Sequence, residues 1–265
     1  MRPTVVVARD ALGLHLVTLP EQLLKAGYDV WLASPLYHVP ERDVLWQEMA
    51  ARSGALVLLQ PLYPRAIEVL CRNHGVWHDG SAVFDLRSWE SADGVVDELQ
   101  SAQKPPAGEG QLREFELHAG TRWYPVVDER RCTHCGSCHQ FCLFGVYALD
   151  GQGRVRIVNP DQCKPGCPAC SRICPQGALM FPLYTRDEAI AGAPGKFPKP
   201  DATARRMFYS RTGATCPTCG QSGKFSVKSG RPVCGECGRT STPVAQCDEL
   251  DALLDGLEQL QEGQR

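Results

Sequence analysis

The arrangement of its cysteines constrains this chain more than any other feature. Fourteen of the 265 residues are cysteine. Twelve of them stand in three clusters, and Cys71 and Cys247 stand alone. The first cluster is the run Cys132-x2-Cys135-x2-Cys138-x3-Cys142. The second is the run Cys163-x3-Cys167-x2-Cys170-x3-Cys174-Pro175. The third is a pair of CxxC knuckles, Cys216 with Cys219 and Cys234 with Cys237. Disulfides are rare in a reducing compartment, so this many closely spaced thiols points to metal. The start of the chain agrees with such a compartment. Met1 to Leu19 lacks a charged leader, a long apolar core and a small-residue cleavage site, and reads as a strand entering a fold. No stretch approaches the ~18 apolar residues of a membrane span. The expected location is therefore the cytosol. A formal net charge of -2 gives no global pull toward nucleic acid.

Runs of four cysteines suit a cubic [4Fe–4S] cluster, which needs one thiolate for each iron. The tight x2 spacing lets a short loop wrap three corners, and the fourth ligand comes from elsewhere. Zinc is the competing reading, but zinc sites favour two pairs over two runs of four. A third reading has clusters that only brace the fold.

The two runs and their flanks resemble bacterial-type two-cluster ferredoxins over about residues 124–183. Tyr124-Pro125-Val126-Val127-Asp128 resembles that family's entering strand. Val146 to Leu149 and Arg154 to Val158 look like its hairpin around Asp150-Gly151-Gln152-Gly153, and Cys174-Pro175-Gln176-Gly177-Ala178-Leu179 matches its exit. In that family the last cysteine of each run ligates the other cluster. The resemblance thus implies one cluster on Cys132, Cys135, Cys138 and Cys174, and a second on Cys163, Cys167, Cys170 and Cys142. Two residues depart from the family pattern. Leu143 stands where a proline is usual, and the extra residue in Cys163-Lys164-Pro165-Gly166-Cys167 makes Cys163 the least secure of the eight.

The knuckles around Cys216, Cys219, Cys234 and Cys237 are separated by fourteen residues and look like a zinc ribbon, in which tetrahedral thiolates replace a core too small to fold alone. A rubredoxin-like iron site uses the same knuckles. No acid occurs from Ala202 to Gly235, while Arg205, Arg206, Arg211, Lys224, Lys228 and Arg231 make the unit basic. It could face nucleic acid or an acidic partner. Pairing with the chain's own tail is the simpler reading. That tail carries Asp248, Glu249, Asp251, Asp255 and Glu258, with Leu250, Leu253, Leu254, Leu257 and Leu260 at helical spacing over 247–262.

Ahead of the cysteines, residues 1–103 alternate strands and helices. Strands are expected at Thr4–Ala8, Asp29–Ala33, Ala55–Gln60 and Ser81–Leu86. Helices are expected at Pro20–Ala26, Glu41–Arg52, Arg65–His74 and Ser91–Gln103. This rhythm predicts a parallel sheet with helices on both faces. No glycine-rich phosphate loop follows the first strand. Leu62-Tyr63-Pro64-Arg65 lies at the C-terminal end of the third, where α/β sheets place ligand sites, although a loop closed by a helix-opening proline explains it equally well. Cys71 falls on a helix and reads as core.

The whole chain also resembles a group of bacterial dicluster 4Fe–4S proteins with an α/β domain before the ferredoxin module. The expected organisation is an α/β domain at 1–103, a linker at 104–123, an α+β two-cluster ferredoxin module at 124–190, a linker at 191–214 and a ribbon at 215–240, then the terminal helix. The expected function is single-electron transfer to or from a redox partner protein through two [4Fe–4S] clusters, with Zn2+ or iron in the ribbon. The rival is a redox sensor or scaffold that binds nucleic acid or a complex through the ribbon. An enzyme site in the first domain has no nucleophile–base pair or phosphate loop to support it. His134 and His139, inside the first run, are candidates to tune a cluster by hydrogen bonding.

Overall fold

Thr4–Ala8 (β1) is buried at every position in the computed structural model, which describes residues 2–102, 104–200, 225–228, 231–234 and 238–239. Successive strand side chains point to opposite faces, so such a strand is covered on both. Four further strands, Asp29–Ala33 (β2), Leu56–Gln60 (β3), Ala82–Asp85 (β4) and Leu112–Glu114 (β5), run parallel to it in the order β4-β3-β1-β2-β5. The chain divides into two compact units, residues 1–122 with 191–195 and residues 123–190 with 196–265.

In the first unit the helices are Leu19–Lys25 (α1), Val44–Ala51 (α2), Pro64–Asn73 (α3) and Ala92–Ala102 (α4). Val5, Val7, Val30, Leu32 and Leu59 of the sheet form one core cluster with Leu19 and Leu23 of α1 and Val95 and Leu99 of α4. The buried residues of α2 (Leu45, Trp46, Met49) and α3 (Ile67, Leu70, Cys71) lie outside that cluster and cover the opposite face. The local rules are visible in the sequence. Asp43 caps α2 by accepting the Leu45 N–H at 2.7 Å. Pro64 opens α3, where its missing N–H costs nothing.

The fifth strand differs from the sequence expectation, which has four strands and reads 104–123 as linker. Two contacts order this segment. The Arg2 guanidinium donates to the carbonyls of Gly27, Pro106, Ala107 and Gly108 at 2.9–3.1 Å. Gly110 then passes so close to Tyr28 that a Cβ there would sit 1.7 Å from the Tyr28 carbonyl oxygen. All three residues of β5 are exposed, so no apolar pattern announces it.

The second unit is built from short pieces. Val126–Val127 (β6) pairs antiparallel with Leu179–Met180 (β9). Tyr147–Leu149 (β7) pairs with Val155–Ile157 (β8) as the expected hairpin. Asp150 closes that hairpin by accepting the backbone N–H groups of Gln152 and Arg154, both at 2.9 Å. Those bonds, with the Arg154 and Arg156 guanidiniums, hold its carboxyl far below the usual carboxylate range. Two one-turn helices, Ser137–Phe141 (α5) and Ala169–Ile173 (α6), follow the cysteine loops. Farther on, Phe225–Lys228 (β10) and Arg231–Cys234 (β11) form an antiparallel pair. Of the four knuckle cysteines only Cys234, at the end of β11, falls among the described residues. Cys216, Cys219, Cys237, Cys247 and the expected helix at 247–262 lie outside them.

Candidate metal centre

The first cysteine loop turns on two residues with left-handed backbone, His134 (φ 50) and Gly136 (φ 77). His134 is the single non-glycine residue with positive φ among those described. Such a conformation costs of order 1–3 kcal/mol and persists where neighbours enforce it. Here the imidazole stands between two partners, its Nδ1 3.7 Å from Cys132 Sγ and its Nε2 3.4 Å from a Glu129 carboxylate oxygen. In the second loop the extra residue is absorbed by a turn. Gly166 takes φ 80, and the Cys167 N–H donates to the Lys164 carbonyl at 3.1 Å. Cys163 keeps its place beside Cys167.

The eight cysteines sort into two sets. One cavity is lined by Cys132, Cys135, Cys138 and Cys174, with Val127, Thr133, His134, Pro175, Ala178 and Leu179 among the rest of its wall. A second is lined by Cys142, Cys163, Cys167 and Cys170, with Phe141, Leu143, Phe144, Val146 and Tyr147. The last cysteine of each run therefore faces the cavity of the other run. The empty spaces are of similar size, about 390 and 330 Å³. Leu143 is part of the wall of the second cavity. Apart from its thiols, the first cavity is lined by the aliphatic Val127, Val155, Ala178 and Leu179 and by the polar Thr133, His134, Ser137 and Gln176.

The electrostatics follow the same division. Burial pushes the Cys138 thiol up strongly, and Cys174, Cys135 and Cys132 add to it. Burial raises Cys163 to about 12, with Cys167 and Cys142 contributing. Cys170, fully buried, is also raised well above the ordinary thiol range by desolvation, and Cys138 adds to it across the two sets. Buried thiols raised in this way give up their protons where positive charge is supplied among them. That donor set, four soft sulfurs converging on one space, fits a [4Fe–4S] cube and fits isolated hard cations poorly. Glu129, Cys132 and His134 also have ligand atoms within 4.8 Å of one another.

Three side chains that sequence reasoning did not single out position the cysteines. The Tyr147 hydroxyl donates to Cys170 Sγ at 3.1 Å inside the core. The Trp123 indole N–H donates to the Cys167 carbonyl at 3.2 Å, its ring stacked on Phe181 at 5.4 Å. The buried Ser171 hydroxyl donates to the Leu179 carbonyl at 2.6 Å, tying α6 to β9. Tyr147 and Trp123 carry the only visible hint, being aromatics with a polar tip near a metal motif.

Other candidates settle differently. Cys71 is completely buried on α3, and desolvation carries its thiol out of the reactive range, as expected of a core residue. Tyr63 and Pro64 form the entry to α3, with the Arg87 guanidinium over the Tyr63 ring at 4.5 Å. His139 lies in the last turn of α5, half-buried.

No family model matches the chain, and no solved structure matches it. Two curated proteins of Methanocaldococcus jannaschii are similar to part of it. An uncharacterized ferredoxin is 41% identical over 61 residues, which is 23% of this chain and 41% of that protein. Pyruvate synthase subunit PorD is 36% identical over 55 residues, 21% of this chain and 62% of that subunit. The chain thus spans less than two thirds of the length of either relative. No helix among the described residues is long and apolar enough to cross a membrane.

Proposed function

We propose that this chain is an electron carrier with two [4Fe–4S] clusters, passing single electrons to or from a redox partner protein. One cluster is held by Cys132, Cys135, Cys138 and Cys174, the other by Cys142, Cys163, Cys167 and Cys170. The observation that carries this reading is the division of eight cysteines into two sets of four, each around its own cavity, with the last cysteine of each run exchanged. A ferredoxin and a pyruvate synthase subunit among the similar proteins support iron–sulfur electron transfer and an oxidoreductase as the partner. Their matched lengths, 61 and 55 residues, are the size of the two-run segment.

Each cluster supplies a site that takes up and releases one electron. The protein's part is to hold it and keep water from it. Val127, Val146, Val155, Phe181 and Tyr184 pack around the buried Cys170 and Cys174. Cys135 is exposed, so the first set opens to solvent and gives a partner its approach. Cys138 lies on α5 and Cys170 on α6, and these two helices pack against each other, so the two sets adjoin within the module. Cys216, Cys219, Cys234 and Cys237 are proposed to hold Zn2+ in a ribbon of which β10 and β11 are the hairpin.

Anaerobic reduction with dithionite, followed by electron paramagnetic resonance, tests the reading. Two one-electron signals broadened by mutual spin coupling are expected. A protein that takes up no electron, or gives one isolated signal, contradicts it.

A further inference from the structure

Resting on the electron-carrier reading above, we propose that Tyr147 selectively raises the reduction potential of the cluster held by Cys142, Cys163, Cys167 and Cys170, and so makes the two clusters unequal. The two halves of the module repeat one another in sequence. Tyr147 stands five residues after Cys142, and Leu179 stands five residues after Cys174. Each begins a short strand, β7 and β9, and each lines the cavity shared with the cysteine that precedes it. At these matching positions one cavity receives a hydroxyl and the other an aliphatic chain that cannot donate.

The hydroxyl is well placed to act. It donates to Cys170 Sγ at 3.1 Å, and both residues are buried. An added electron spreads onto the cluster sulfurs, and a hydrogen bond strengthens as its acceptor gains negative charge. The bond therefore favours the reduced form, and in a dry core its effect is not diluted by water. The first set accepts different donors. The Ala178 N–H reaches Cys174 Sγ at 3.4 Å, the Ser137 hydroxyl stands 3.4 Å from the exposed Cys135 Sγ, and His134 Nδ1 stands 3.7 Å from Cys132 Sγ. None of them touches Cys170, and none is a buried phenol.

The test compares full-length, anaerobically purified wild type with Tyr147→Phe, which keeps the ring and removes the hydroxyl. Iron and sulfide content are measured on both, and each potential is read by redox titration under electron paramagnetic resonance. One potential is expected to fall by about 59 mV, a tenfold change in a one-electron equilibrium, while the other moves much less. Replacing Tyr147 by 3-fluorotyrosine, a stronger donor of nearly the same shape, should move the same potential upward, and it decides the question if the phenylalanine variant fails to assemble. Unchanged potentials, or equal shifts in both, with two clusters retained, overturn the role of Tyr147. A wild type lacking two clusters overturns the electron-carrier reading itself.

Discussion

Cys174 lines the same cavity as Cys132, although Cys163, Cys167 and Cys170 precede it in its own run and line another. The exchange ties the two halves of the module together. β9 follows directly from Cys174 and pairs with β6, which leads into Cys132, so the pairing that closes the fold also brings this fourth thiol to the first three. Cys174→Ser should therefore damage the cluster of the first run and spare that of its own run. The expected result is iron falling from about eight to about four per chain, with the remaining signal that of the Cys142 set. Loss of the Cys163 neighbourhood alone contradicts the exchange.

Gly110→Ala should detach β5. A Cβ placed 1.7 Å from the Tyr28 carbonyl oxygen meets backbone that has nowhere to move. The cost is expected to be about 1–3 kcal/mol, as for other overpacked sites. Hydrogen exchange reads the damage locally, because the Val30 N–H donates to the Gln111 carbonyl at 2.8 Å. That amide should lose protection, and an unchanged rate contradicts the assignment of β5 as part of the sheet.

Ser171→Ala removes a buried donor from the Leu179 carbonyl. A loss of about 1–2 kcal/mol is expected. Because the bond holds α6, and with it Cys170, against β9, the loss should appear as faster bleaching of cluster absorbance on heating. Bleaching at the wild-type rate shows that the bond does not support the site.

His74 stacks face to face on Trp46, with centroids 3.9 Å apart and planes within 3°. Burial, helped by the charge of Arg122, lowers its pKa from 6.5 to about 4. The unfolded chain therefore binds the extra proton between those values. Stability is fully present above pH 6.5 and is lost as pH falls toward 4. Since the ring is only half-buried, the contribution stays below the roughly 3 kcal/mol that the full shift implies. Nuclear magnetic resonance titration of the imidazole should show a neutral ring at pH 5, and Trp46→Ala should return it toward its ordinary value. A wild-type ring that titrates above pH 6 contradicts this.

The legible parts of the sequence were those with a strong local rule. The strands β1 to β4 announce themselves by apolar runs, α3 by its opening proline, and the hairpin by Asp150 and its glycines. The cysteine runs named the eight cysteines that line the two cavities, and Cys163 joins its set despite the irregular spacing. The strand β5 was not legible. Its three residues are exposed, and its position depends on Arg2 and Tyr28, which are distant in the chain. Tyr147 was equally hidden, because only the pairing of β7 with β8 and the packing of α6 bring its hydroxyl to Cys170. Long-range geometry of this kind leaves no periodic trace.

Iron and acid-labile sulfide analysis of anaerobically purified full-length protein, with zinc measured alongside, tests the central claim most directly. Two cubic clusters on eight cysteines predict about eight iron and eight sulfide per chain, with one further metal in the ribbon. Iron near four per chain would contradict the two-cluster assignment and point to Cys163, while zinc in place of iron and sulfide would contradict electron transfer altogether.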